Sequence, residues 1–324
     1  MRVLLTNDDG VRAPGIVALY DALMDTIPGF EGALGGPLRI AGTPIDEAYA
    51  VAPATVQSAT SHGVTFHEPL MVEPARVRER MVGTAIDGRP ADCVKLALSE
   101  IWPRRFGAGE RPDLVISGMN AGANAGINVI YSGTVAAAIE GAFLGIPSIA
   151  VSLHLGRGST RFDIGAIHAR RAIETLLAGG LPDPHTVLNV NVPRCEEPVE
   201  DTPEARAAAE QQRTSAGLPT NFDQSDTRVT TAPPPPPPAS ADEAMPIVVC
   251  PMNTHGHVDR FEGRVSPGGR AYFWAAAGGM DFQATEQGTD VDWLFKRAVT
   301  VTPLRYDLTD RAAMEGWKQR TQVQ

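Results

Sequence analysis

Cysteine is scarce in this 324-residue chain: Cys93, Cys195 and Cys250 stand far apart. That excludes a disulfide framework and a CxxC metal site and leaves buried thiols as the expectation. Basic charge is also short. Lys and Arg number 28 against 38 Asp and Glu, for a formal net charge of −10. A general basic surface that grips nucleic-acid backbone is therefore not expected, whereas a small anion held by a metal remains compatible. No stretch approaches the roughly 18 apolar residues of a membrane span. The opening MRVLLTNDDG has no basic region followed by a long apolar run and a small-residue cleavage site, so a cytoplasmic protein is expected. Three motifs are missing as well. Without GxxxxGK[ST] there is no P-loop, without GxGxxG after the first strand no dinucleotide fingerprint, and without GxSxG no nucleophile elbow.

What is there has the content of a globular α/β protein, with 43% apolar residues. RVLLT reads as a short strand that ends in NDDG, after which Pro14 opens a periodic segment. Ile16, Leu19, Tyr20 and Leu23 form its apolar stripe at i, i+3, i+4 and i+7. Residues 29–46 are rich in Gly and Pro and read as a loop inserted before the strand YAVAP. Strand-like runs follow in GVTFHEPLMVEP and RMVGTAI, then a helix from Pro90 through Trp102, the strand DLVIS, the helix TVAAAIEGAFLG and the strand SIAVS. A helix over about 162–178 and the strand HTVLNVNVP complete an alternation that implies a parallel sheet with helices on both faces. Composition changes after Arg194. Residues 196–245 hold six consecutive prolines at 233–238 and read as a mobile insertion or linker. Order resumes with IVVCP, YFWAAA and DVDWLFKRAVTVTPLRYDLTD. The expected architecture is α/β, with a Rossmann-like three-layer parallel-sheet core over 1–195 and a C-terminal β-hairpin/helix extension over 246–324.

Three loops fall at carboxyl ends of strands, where ligands of such sheets bind. In the first, Asp8 and Asp9 stand where the chain leaves the pleat, so adjacent carboxylates can converge as hard oxygen ligands for Mg²⁺ or Mn²⁺. Asn7 and Gly10 frame the turn, with Gly10 free to adopt positive φ. In the second, VAPATVQSATSHG supplies Ser58, Ser61 and His62; a hydroxyl is an adequate neutral ligand for a hard cation. The third, after DLVISG, offers the amides of Asn120 and Asn124, and then Ser132, Gly133 and Thr134 at a helix N-terminus. Unpaired amides and the helix dipole suit a phosphate there. Together the loops supply two anionic ligands, neutral ligands and an anion cradle, which points to metal-assisted phosphoester hydrolysis.

These segments resemble one family closely. LLTNDDGVRAPGI, VAPATVQSATSHGVT, GTAIDGRPADCVKLAL, ISGMNAGANAGINVIYSGTVAAAIEGAFLGIPSIAVS and GTDVDWLFKRAVTVTPLRYDLT are similar to the motifs of the SurE (survival protein E) nucleotidases, over most of 1–195 and about 246–310. The resemblance implies hydrolysis of nucleoside monophosphates, with one divalent cation per subunit bound by Asp8, Asp9, Ser58 and Asn120; for metal-assisted hydrolysis, Asp8 is read as the carboxylate nearest the attacking water. It also implies a homodimer or homotetramer that exchanges C-terminal elements. Residue 59 is Ala where the family commonly has Gly. The runner-up is a Mg²⁺-binding nucleotide-sensing or receiver-like module without turnover. It needs a phosphorylatable Asp at a later strand end and a partnering Lys, and neither VAPAT nor VISGMN offers them.

Overall fold

In the computed structural model the described residues are 1–156, 158–197, 207, 211, 240–256, 261–275, 280 and 282–321. One nine-stranded sheet organises them. Its strands are β1 (Arg2–Thr6), β2 (Glu47–Pro53), β3 (Met71–Arg76), β4 (Val82–Asp87), β5 (Leu114–Ala121), β6 (Ser148–Leu153), β7 (Val187–Val192), β8 (Ile247–Val249) and β9 (Val299–Leu304). They lie in the order β8-β9-β7-β6-β5-β1-β2-β4-β3. From β7 to β4 every pairing is parallel. The edges depart from the all-parallel expectation: β3 runs antiparallel to β4, and β9 antiparallel to β7 with β8 parallel beside it.

Helices α1 (Pro14–Met24) and α5 (Phe162–Leu176) cover one face. Helices α2 (Pro90–Leu96), α3 (Trp102–Phe106) and α4 (Gly133–Phe143) cover the other. The pleat of β1 feeds both layers, with Val3 and Leu5 in the core under α1 and α5 and Leu4 packed with Val94, Trp102 and Ala137. Each such buried side chain contributes roughly 1.5–3 kcal/mol. β1 pairs with β2 on one side and with β5 on the other, so the sheet reverses its winding between β1 and β5. That switch point opens a crevice at the carboxyl ends of those two strands.

The helix read from Pro90 to Trp102 extends instead to Phe106, through a π-turn at Ala97–Ile101. The widened turn lies just before Pro103, which has no N–H for a regular helical ladder. The 29–46 segment is less of an external excursion than its composition suggests. Leu38, Ile40 and Ile45 are buried in the core, and Arg39–Ile40 pairs with Thr43–Pro44. Of the 196–245 segment, residues 198–239 lie outside the described residues apart from 207 and 211. Towards the C-terminus, Phe261–Val265 and Ala271–Ala275 form an antiparallel hairpin, followed by α6 (Asp290–Phe295) and α7 (Arg311–Thr321). Phe261, Val265, Phe273 and Trp274 of the hairpin are exposed, and α7 buries no residue. Among the described residues no helix is long and apolar enough to cross a membrane.

Candidate active site

Asn7 begins the site by closing a turn on itself. Its Nδ2 donates to the Gly10 carbonyl at 2.8 Å and its Oδ1 accepts the Gly10 N–H at 3.2 Å, while Gly10 takes φ +103°. The turn holds Asp8 and Asp9 at the carboxyl end of β1, as their sequence position predicts. Asp8 is buried and faces the first turn of α4: Oδ2 accepts the Thr134 backbone N–H at 3.1 Å, and Oδ1 accepts the Thr134 hydroxyl. Asp9 Oδ2 accepts the Ala121 N–H at 2.9 Å, which ties it to the end of β5. Carboxylates from one loop are thereby fixed to two different elements. Gly133 permits the approach, since a Cβ there would stand 2.9 Å from Asp8 Oδ2.

Among the described residues neither Asp8 nor Asp9 forms an ion pair with Lys, Arg or His. Burial, and next the charge of Asp9, pushes the Asp8 carboxyl up to about 7 despite the Thr134 hydrogen bonds. Burial likewise raises Asp9. A divalent cation would relieve both effects. The donor chemistry fits one: two carboxylates, with the amide of Asn120 and the hydroxyl of Ser58 each one residue from a group hydrogen-bonded to the pair, are hard oxygen ligands suited to Mg²⁺ or Mn²⁺. No group of three His, Cys, Asp or Glu gathers among the described residues, so the remaining protein donors have to be neutral.

Asn120 and Ser58 are the neutral candidates. β5 carries a bulge between Ser117 and Asn120, which re-aims the end of the strand. Asn120 Nδ2 donates to the Gly122 carbonyl at 2.7 Å, which fixes the amide and leaves its oxygen as the end able to ligate. Ser58 sits on an exposed turn that reaches the site through its neighbour, since the Gln57 N–H donates to the Asp8 carbonyl at 2.7 Å.

The anion cradle expected at 132–134 differs in detail. Thr134 uses both its amide and its hydroxyl on Asp8, so it positions the carboxylate rather than standing free for a phosphate. Ser132 is the N-cap of α4, its Oγ accepting the Val135 N–H at 3.0 Å. Asn124 turns into the sheet end: its Nδ2 donates to Ser152 Oγ at 2.9 Å, its N–H to Asn191 Oδ1 at 2.8 Å, and its carbonyl accepts from Asn189 Nδ2 at 2.7 Å. Asn189 and Asn191 lie outside the three strand-end loops read from the sequence, where their only signal is the polar i, i+2 pair of NVNV in an otherwise apolar strand; both are buried. Asp290 was missed as well. Its carboxylate is buried and accepts the N–H groups of Gly126, Asn253 and Val291, joining the loop after β5 to the C-terminal segment.

A doubly wound α/β sheet with an acidic pair at its switch point defines a class, that of α/β proteins that take a ligand at the carboxyl ends of their strands. Within that class the Survival protein SurE family matches residues 3–216, and the chain belongs to it. The 5′-nucleotidase SurE of Heliobacterium modesticaldum is 36% identical over 316 residues, spanning 97% of this chain and 90% of that protein. The protein of the same name from Rhodopirellula baltica is 36% identical over 314 residues, spanning 95% of this chain and 94% of its own length. The crystal structure of the SurE protein from Aquifex aeolicus superposes with a TM-score of 0.66 at 29% identity, covering 99% of each chain.

Proposed function

We propose that this chain is a 5′-nucleotidase that hydrolyses nucleoside monophosphates to nucleoside and phosphate, with one divalent cation, Mg²⁺ or Mn²⁺, held by Asp8, Asp9, Ser58 and Asn120. The observation that carries the reading is the adjacent carboxylates Asp8, buried, and Asp9, partly buried, at the switch point without a Lys, Arg or His partner among the described residues, in a chain whose relatives are named for this reaction. A bound dication supplies Lewis acidity and neutralises charge on the phosphate oxygens. The chain's own residues do the positioning. Thr134 holds both Asp8 oxygens, the Ala121 amide orients Asp9, and the Gly122 carbonyl orients Asn120. The N-terminal end of α4, with its dipole, lies beside this cluster and favours an anionic substrate group.

The same reading covers the whole chain. Residues 1–195 form the catalytic core, 196–245 a proline-rich connection, and 246–324 a C-terminal part that completes the core through β8 and β9 and carries the arm for a cytoplasmic homo-oligomer. The antiparallel β7–β9 pairing supports the structural half of that statement. The reaction is tested by phosphate release from AMP, GMP and an aryl phosphate with Mn²⁺, Mg²⁺ or EDTA, beside Asp8→Asn. Metal-dependent release that falls at least about 100-fold in the variant is expected. Release that persists in EDTA, or in Asp8→Asn, would refute the assignment.

A further inference from the structure

Glu140 is a buried carboxylate on α4, with a side chain only 5% exposed, and it belongs to none of the ligand or cradle positions above. Its Oε2 lies 2.8 Å from His62 Nε2, and its Oε1 accepts from Lys95 Nζ at 3.1 Å. Three elements meet there: α4, α2 and the turn that follows β2. Burial by itself would raise the Glu140 carboxyl, but the hydrogen bonds from His62 and Lys95 outweigh it and hold Glu140 below the usual carboxylate range. An ionised carboxylate only accepts, so Nε2 is the ring nitrogen that carries the proton.

The turn on which His62 sits is the one that bears Ser58. Ala59 and Ser61 have φ of +57° and +52°, the left-handed region that residues with a Cβ adopt at an energetic cost. A turn of this kind persists only where its surroundings hold it. Gln57 is tied to the Asp8 carbonyl, and Ser61 donates through its N–H to the Tyr131 carbonyl at 3.1 Å and through Oγ to the Ile130 carbonyl at 2.7 Å. His62 adds the side-chain tie, and its anchor stands on the helix whose first turn holds Asp8. Thr134 and Glu140 are six residues apart on that helix, a rise of about 9 Å at the α-helical spacing.

We propose that Glu140 is a positioning residue for the cation site: through His62 it clamps the Ser58 turn onto α4, so that one rigid helix sets both the Asp8 carboxylate and the Ser58 hydroxyl. Lys95, on the second Glu140 oxygen, keeps the carboxylate in place and charged. This inference rests on the proposed function, because it takes Ser58 and Asp8 as ligands of one cation.

The test uses the full chain with His62→Ala, His62→Gln and Glu140→Gln beside Asp8→Asn. Mn²⁺ binding is measured by electron paramagnetic resonance, hydrogen exchange of residues 56–65 is followed in EDTA, and AMP hydrolysis is titrated with Mn²⁺. Loss of a group that orients a ligand typically weakens metal affinity about 10- to 100-fold, so His62→Ala and Glu140→Gln are expected to bind Mn²⁺ about 10-fold more weakly. The 56–65 segment should exchange faster in both, and the deficit in hydrolysis should close as Mn²⁺ saturates. His62→Gln, which keeps a donor toward Glu140, should recover most of the affinity. Mn²⁺ binding and loop exchange that match the unmodified chain in His62→Ala and Glu140→Gln would overturn the proposal, as would a fall in turnover with Mn²⁺ affinity intact. Because His62 is 39% exposed, its replacement spares the core and keeps the test valid if Glu140→Gln folds poorly. Failure of the underlying reading looks different, since Asp8→Asn would then bind Mn²⁺ normally.

Discussion

At the scale of the residue, the acidic pair sets stability against function. Asp8 is buried and Asp9 partly buried, both lose hydration, the charge of Asp9 adds to the effect on Asp8, and each carboxyl is displaced upward from its ordinary titration range. Asp9→Asn keeps an oxygen for the Ala121 amide and removes one charge. In EDTA it is expected to unfold at a higher urea concentration than the unmodified chain, by about 1 kcal/mol. Excess Mn²⁺ should reverse that order, because a ligand at 100 times its Kd stabilises the native state by about 2.7 kcal/mol, and the variant loses that gain. Urea melts with and without metal check both signs. His154 gives a second residue-scale outcome. Burial, and next the charge of Arg194, push it down to about 3, against about 6.5 in an unfolded chain. Between those values the unfolded chain binds a proton that the folded one refuses, so stability falls as pH falls through this window. From pH 8 to pH 5 this amounts to about 2 kcal/mol. The raised Asp8 carboxyl works in the opposite direction over the same range, so the readout is the difference between chains: from pH 8 to pH 5, urea unfolding should show the unmodified chain losing about 2 kcal/mol relative to His154→Gln.

At the scale of the element, Arg170 of α5 decides how the 29–46 segment lies. Its guanidinium is buried and donates to the carbonyls of Ala22 at 2.7 Å and Gly36 at 2.6 Å, with Glu174 accepting at 3.0 Å. Arg170→Met fills similar space but removes the donor to the Gly36 carbonyl and one of the two donors to the Ala22 carbonyl, which keeps the Asp25 N–H, so a loss of about 2 kcal/mol is expected, read by chemical denaturation. The segment's Gly and Pro content announces a loop, and nothing in it announces an arginine more than 130 positions away. α4 makes a similar point. Its apolar run and its stop at Gly145 are legible as a helix, whereas the service of its first turn to Asp8 depends on β1 lying beside it. The helix begun at Pro90 was legible at its start and not at its end, because a π-turn absorbs Pro103 where a regular ladder would stop.

At the scale of the whole molecule, Phe261, Val265, Phe273 and Trp274 of the hairpin are exposed among the described residues, and α7 buries none of its side chains. In the proposed homo-oligomer a second copy covers them. Phe273→Ser with Trp274→Ser is expected to lower the mass measured by light scattering toward that of one chain, while the far-ultraviolet circular dichroism of the core is kept. A mass unchanged from that of the unmodified chain would place the contact elsewhere.

The sequence by itself determined the alternation of strands and helices, the acidic turn at the end of β1 and the family, because periodicity, turn residues and contiguous motifs are local properties of a chain. It also carried Asp8, Asp9, Ser58 and Asn120 as candidates, each at the end of a legible strand or in the loop that follows one. Only the tertiary structure decided that Thr134 serves Asp8, that Asn124 binds into a network with Asn189 and Asn191, that Asp290 holds Gly126, and that Glu140 reaches His62. Those pairs are separated by 65 to 164 positions. What brings them within hydrogen-bond reach is the order of the strands in the sheet, and that order follows from burying both of its faces at once, which no local stretch of sequence records.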